Sequence, residues 1–149
     1  MNLKKANISD LITIISWIPN KLACKRWGGP KVRYPLRVKS LSEDIEFSGN
    51  NSFCLFDNDE SLIAFGQLLT KGNDYLHLAR IIVAPHKRAN GHGWRLCNEL
   101  IQKAKQKGYN NISLNVYRDN TSAFKLYEKI GFREDAEKSS NENCHMVLQ

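Results

Sequence analysis

What the sequence lacks narrows its function before any motif is read. Its four cysteines, Cys24, Cys54, Cys97 and Cys144, form no Cys-x-x-Cys pair and have no histidine at metal-ligand spacing. That speaks against a metal centre and for a reduced, cytoplasmic protein. No apolar run approaches the roughly 20 residues that span a bilayer. The faint imitation of a secretory leader, Lys4-Lys5 followed by residues 11–18, is interrupted by Asn7, Ser9 and Asp10 and ends in Trp17-Ile18-Pro19 rather than in small residues. Repeats, low-complexity tracts and linkers are missing too. The 149 residues are therefore expected to form one domain, 1–149. A domain of that size buries roughly 70% of its unfolded-chain surface. Acidic residues are in deficit: 22 Lys and Arg against 15 Asp and Glu leave a formal charge of +7. Such a charge suits nucleic acid, an anionic membrane or a polyanionic small ligand, or is simply a basic solvated surface. The cations are spread along the chain, and only Lys87-Arg88 stands where geometry gives it meaning.

Periodicity and turn signals divide the chain. Residues 3–6 read as a short strand. Ser9 or Asp10 can cap a helix with Leu11, Ile14, Ile15 and Ile18 on one face, ended by Pro19; residues 20–26 can add a short helical turn. Trp27-Gly28-Gly29-Pro30 begins a basic, aromatic stretch to Leu36, expected as a loop over a site or a plain connector. Ser42 can cap a short helix through Ile45 and Phe47. Residues 53–56, 62–69 and 75–83 read as three consecutive strands, with turns at 57–60 and at Lys71-Gly72-Asn73-Asp74. A strongly amphipathic helix then starts near Gly91, with Gly93, Leu96, Cys97, Leu100, Ile101 and Ala104 on one face. Residues 112–116 alternate as a half-buried strand. Asp119-Asn120-Thr121 caps a last helix that turns Ala123, Leu126, Tyr127 and Ile130 inward and stops at Gly131; residues 132–133 and 144–148 close as strands. Hairpins first and β-α-β units later make an α/β protein of the α+β kind, a mixed sheet covered by helices.

One stretch orders the rest. Ile81-Ile82-Val83 ends the longest strand, and Pro85 cannot continue its ladder. Lys87-Arg88-Ala89-Asn90-Gly91-His92-Gly93-Trp94 then leads into the amphipathic helix. Strand, glycine-bearing turn and helix N-terminus together offer free backbone N–H groups to an anion. A P-loop needs Lys-Ser/Thr where Trp94-Arg95 stands, and a dinucleotide fingerprint needs a third glycine where Leu96 stands. What remains, Arg88-x-x-Gly91-x-Gly93 after Val83-x-Pro85, resembles the acyl-CoA pyrophosphate loop of the GNAT family, the Gcn5-related N-acetyltransferases. A second stretch, with Asn120, Ala123, Tyr127, Gly131 and Phe132, resembles that family's Asn, helical Ala and Tyr-x-x-x-Gly-Phe ending. The element order is similar as well, most of all to single-domain members near the ribosomal-protein N-terminal acetyltransferases.

The resemblance implies a mostly antiparallel sheet of about seven strands flanked by about four helices, and acetyl-CoA as co-substrate without a metal. It implies that the backbone of Ile81, Ile82 and Val83 pairs with the pantetheine arm, and that Arg88, Ala89, Asn90, Gly91, His92, Gly93 and Trp94 surround the pyrophosphate. Asn120 and Phe124 would border the cofactor groove. Tyr127 would protonate the departing thiolate, and a backbone N–H near Val83 would polarise the developing oxyanion. Read without the resemblance, Tyr127 is a core tyrosine, Asn120 a helix cap, and the two glycines a tight turn.

The general base is less clear-cut. Related protein N-terminal acetyltransferases carry Glu where this chain has Asn115, and an amide accepts no proton. Either a water chain serves, or another residue such as His77 on the long strand, for which a structural role is the commoner one. Alternation sets Arg80 on the face opposite His77, where it could meet an acidic group of the substrate or, the reading preferred here, a carboxylate of the protein, and sets Tyr117 beside Asn115 as a substrate wall. The activity expected is direct acetyl transfer in a ternary complex to a primary amine: a protein N-terminus, a lysine or a small amine. The alternative is a non-catalytic CoA-binding or nucleic-acid-associated regulatory module. No membrane partner is expected, nucleic acid is disfavoured, and the sequence leaves the oligomeric state open, a homodimer included.

Overall fold

The computed structural model describes residues 1–72 and 74–148; Asn73, assigned above to a turn, and Gln149 lie outside the described residues. In chain order the elements are β1 (Asn2–Lys5), α1 (Asp10–Ser16), α2 (Lys21–Gly28), α3 (Val38–Asp44), β2 (Ser52–Phe56), β3 (Leu62–Lys71), β4 (Tyr75–Val83), α4 (His92–Gln106), β5 (Asn111–Tyr117), α5 (Thr121–Ile130), β6 (Arg133–Glu134) and β7 (Asn143–Leu148). The seven strands make one sheet in the order β1-β2-β3-β4-β5-β7-β6, and every pairing is antiparallel except β4 with β5.

Five α-helices stand against the four or so expected. The short turn after Pro19 is a full helix, α2, because the Asn20 side chain accepts a hydrogen bond from the Ala23 amide at 2.8 Å. The helix assigned to Ser42 begins earlier. Extended Arg37 precedes α3, and Ser42 lies inside it, its hydroxyl turned back onto the Lys39 carbonyl at 2.7 Å.

Helices cover both faces of the sheet. On one, α4 and α5 bury Leu96, Cys97, Leu100, Ala104 and Tyr127 against Leu76, Leu78, Ile112, Leu114 and Met146. On the other, Leu11, Ile14 and Trp17 of the α1 region, Cys24 of α2 and Leu41 of α3 pack with Phe65 and Ile82.

Two departures from regular pairing shape the middle of the sheet. Phe65 opposes Ile82 and Gln67 opposes Ala79, so the single residue Gly66 faces both Arg80 and Ile81. This is a β-bulge, and it places Arg80 at φ 52°. Glycine is required on the partner strand: a Cβ there would come within 2.5 Å of Ile81 Cδ1 and 3.0 Å of Leu100 Cδ1. The bulge also resets the alternation of β4. Ile81 joins Leu76 and Leu78 on the α4 face, whereas Arg80 goes to the α2 face with Ile82, the same side as His77. The opposite-face expectation for Arg80 is thus overturned by one extra residue.

The second departure is between β4 and β5. Their parallel pairing covers only Tyr75, Leu76 and His77 against Asn111, Ile112 and Ser113. From Leu78 to Val83, β4 pairs with β3 but not with β5, and the two strands diverge.

Candidate active site

A cleft of about 830 Å³ opens at that divergence. Its floor is Ile81, Ile82 and Val83 on one side and Asn115 and Val116 on the other. The loop after β4 and the first turn of α4 form one wall. Asn120, Ala123, Leu126 and Tyr127 of the α5 region form another. Trp17, Ile18, Pro19, Arg26 and Trp27 close the far end.

The loop wall is built to offer backbone donors. Pro85–Lys87 is one 3-10 turn, Ala89 sits at φ 64° and Gly91 at φ 82°. The left-handed Gly91 turns the chain into α4, whose first amides have no partner inside the helix. No side chain caps that end, and no acidic residue lies in its first turn. A 15-residue helix thus presents an uncapped, partly positive terminus to the cleft. Arg88, Ala89, Gly91, His92, Gly93 and Trp94 all line it, with Trp94 half-exposed. The Arg88 Nε–H donates to the Val83 carbonyl at 3.0 Å, which anchors the side chain at the rim. Asn90 is not among the lining residues; its amide donates to the Lys87 and Arg88 carbonyls, both at 3.2 Å, and so stiffens the loop from behind.

On the α5 wall, Asn120 occupies the helix-cap position without making a side-chain cap bond. The residue lines the cleft. Phe124 does not; it packs on the α4 side of the core. The Tyr127 ring is buried, edge-on to Phe132 at 6.1 Å. Among the described residues no group hydrogen-bonds its hydroxyl, and no fully buried polar side-chain atom lacks a partner, so the hydroxyl opens on the cleft. Burial raises its pKa above that of an ordinary phenol, with the nearby Cys97 adding to the effect, so it stays protonated.

His77 is not brought to the cleft. It is buried, its Nδ1 2.9 Å from the Ser113 hydroxyl. Desolvation, with Lys71, His145 and Arg80 adding positive charge nearby, pushes its pKa down to about 4. Asn115 does reach the cleft, and behind it stands a residue missed above, which is not itself among the lining residues. His145 of β7 lies directly across from Asn115 in the register, its Nδ1 2.7 Å from the Asn115 Oδ1. With the amide oxygen of Asn115 turned toward it, Nδ1 is the donor of the pair, the tautomer that leaves Nε2 its lone pair. The two imidazoles lie nearly parallel, with centroids 6.4 Å apart. Burial, Lys138 and Lys71 lower the His145 pKa, opposed by Asp135. Only the strand order β5-β7-β6 puts this histidine beside Asn115, and no local sequence signal reports that order.

The carboxylate expected for Arg80 is absent. Its Nε–H donates to the Gly28 carbonyl at 3.2 Å and its Nη1–H to Gln67 Oε1 at 2.9 Å. Among the described lining residues there are five fixed cations (Arg26, Arg80, Lys87, Arg88 and Lys129) and no Asp or Glu. The four cysteines are all buried and unpaired, and burial pushes the Cys97 thiol up to about 12, so none offers a ready thiolate. Among the described residues, no helix is long and apolar enough to cross a membrane.

Comparison with known proteins agrees with this geometry. The profile of the acetyltransferase (GNAT) family matches residues 20–132. A probable N-acetyltransferase, camello, of Xenopus tropicalis is 37% identical over 96 residues, covering 63% of this chain and 44% of its own length. The chain therefore spans less than half of that relative. The ribosomal-protein-S18-alanine N-acetyltransferase of Escherichia coli superposes with a TM-score of 0.72 at 21% identity, covering 99% of this chain and 92% of its own. The spermidine N-acetyltransferase of Vibrio cholerae, solved with CoA and spermine, gives a TM-score of 0.78 at 21% identity, covering 99% and 94%. At these identities the two structures speak for the fold.

Proposed function

The chain belongs to the GNAT acetyltransferase family, and from that premise we propose that it transfers the acetyl group of acetyl-CoA to a primary amine by direct attack in a ternary complex. One observation carries the reading. The uncapped, glycine-turned N-terminus of α4 and the free Tyr127 hydroxyl face one cleft, at the point where β4 stops pairing with β5. The α4 amides and Arg88 would hold the pyrophosphate, and the unpaired edge of β4 would meet the amides of the pantetheine arm, as an added strand would. Asn120, not needed as a cap, has an amide to spend on the same arm.

The amine nitrogen attacks the acetyl carbonyl, and a backbone N–H near Val83 supports the charge that develops on oxygen. The carbon–sulfur bond breaks, and Tyr127 donates its proton to the sulfur. An alkylammonium holds its proton to about pH 10.4, so a base is needed. Asn115 cannot serve, but it hydrogen-bonds His145; that imidazole stands behind the cleft lining and would take the proton relayed through water.

Calorimetry with acetyl-CoA, followed by thiol release over a panel of N-terminal peptides, lysine and small amines, tests the reading. The expected result is saturable cofactor binding and amine-dependent thiol release. Absence of cofactor binding by the folded protein refutes the reading. Binding without release by any amine replaces it with the non-catalytic CoA-binding module.

A further inference from the structure

We propose that Arg80 is a carboxylate receptor in the acceptor half of the cleft, so that the amine acetylated here carries a carboxylate; this rests on the acetyl-transfer reading above. The two ends of the cleft use their cations differently. At the loop end, Lys87 and Arg88 lie beside the α4 terminus, where a pyrophosphate would consume their charge. At the other end, Arg26 is already neutralised by Asp119 at 3.0 Å. Arg80 is not. It is part-buried and lines the cleft, yet both of its protein acceptors, the Gly28 carbonyl and the Gln67 amide, are uncharged. No carboxylate of a described residue forms an ion pair with it. Asp44 and Glu46 act on it only through space, and Asp44 is tied to Arg33 at 2.9 Å.

The group is also pre-set. The bulge fixes its backbone, the Trp27 indole N–H donates to its carbonyl at 2.8 Å, and the Nε and Nη1 bonds hold the guanidinium plane. Nη2 is left without a protein acceptor among the described residues. A buried cation with only neutral partners is costly, and a left-handed non-glycine backbone adds strain that persists at sites where it serves a purpose. A ligand carboxylate would supply the missing charge in the planar geometry that guanidinium favours. The same electrostatics disfavour polyamines. With no Asp or Glu among the described lining residues, a second or third ammonium of the acceptor finds cations and no counter-charge.

The test compares acceptors that differ only in a carboxylate, phenylalanine with phenethylamine and β-alanine with ethylamine, with spermine as the polycation. Each is assayed by thiol release at saturating acetyl-CoA and by calorimetry on the CoA complex. The expected result is at least a tenfold advantage for the acid of a pair in kcat/KM or in affinity, with spermine worst. Arg80→Gln, which keeps polar contacts but no charge, should remove the advantage, and Arg80→Lys should restore part of it, with CoA affinity and melting temperature reporting the fold. The wild-type comparison stands alone if a variant does not fold. No acid advantage in any pair, or a preference for spermine, overturns the Arg80 proposal while leaving acetyl transfer intact, provided CoA still binds. Failure of CoA itself to bind would strike the underlying reading instead.

Discussion

Replacing His77 with glutamine should make the protein less sensitive to acid. In the folded chain His77 is buried beside Ser113 with Lys71, His145 and Arg80 nearby, and burial pushes its pKa down to about 4 from the ordinary 6.5. The folded state therefore favours neutral imidazole. Between those two values the unfolded chain binds a proton that the folded chain refuses, so stability falls as pH falls through that window. Fully expressed, a gap from 6.5 to about 4 is worth about 3.4 kcal/mol at 1.36 kcal/mol per pKa unit. About 2.5 kcal/mol of it is lost by pH 4.5, and almost none above pH 7.5. Glutamine can still hydrogen-bond Ser113 but does not titrate. Urea denaturation of both proteins at pH 7.5 and pH 4.5 isolates the effect, because the carboxylates and His145 titrate in both and largely cancel. Whatever the substitution costs at pH 7.5, the difference between wild type and variant should move by about 2 to 3 kcal/mol in favour of the variant at pH 4.5. A difference that stays the same at both pH values would refute the buried, neutral assignment of His77 and reopen it as a base.

The chemistry makes its own predictions. Tyr127→Phe should lower kcat by roughly 10²- to 10⁴-fold, with acetyl-CoA affinity within a few-fold and the melting temperature nearly unchanged, since the hydroxyl has no protein partner among the described residues. Equal turnover would remove it as the acid. Because burial raises its pKa, the wild-type pH profile should show no alkaline loss from this group below about pH 10. As the proposed base, His145 would act in its neutral form, and its pKa lies below the usual histidine value, so kcat/KM should fall on the acid side of pH 6.5. His145→Gln should abolish that acid limb; an unchanged limb would assign it elsewhere.

Much of this was legible in the chain itself, for identifiable reasons. Local signals carry far in α4, where a complete apolar stripe follows a glycine turn, and in β4, whose bounds coincide with its β-branched and aromatic run. The placement of Tyr127 and of most loop residues at the cleft is legible because it is tied to element ends and helix faces, which short-range spacing dictates. What stayed hidden depends on pairing between distant strands. The bulge that turns Arg80 toward α2 is encoded by Gly66 on the neighbouring strand, not by anything in β4. His145 meets Asn115 only because β7 inserts between β5 and β6. His77 looked available because alternation reports which face a side chain takes but not how deeply that face is covered.

The short contact between β4 and β5 has a mechanical consequence. Among the described residues, three pairs join the β1–β4 leaf to the β5–β7–β6 leaf through the sheet ladder. Beyond them the leaves are coupled mainly by side chains, with α4 on the first leaf touching α5 on the second. Such a sheet resembles two plates on a narrow hinge, held together on the α4 side by the shared core of Leu76, Leu78, Ile112, Leu114 and Met146. A molecule wedged between the plates clamps them, so amide exchange on the inner borders of both strands should slow together when the wedge is in place, including at residues it never touches.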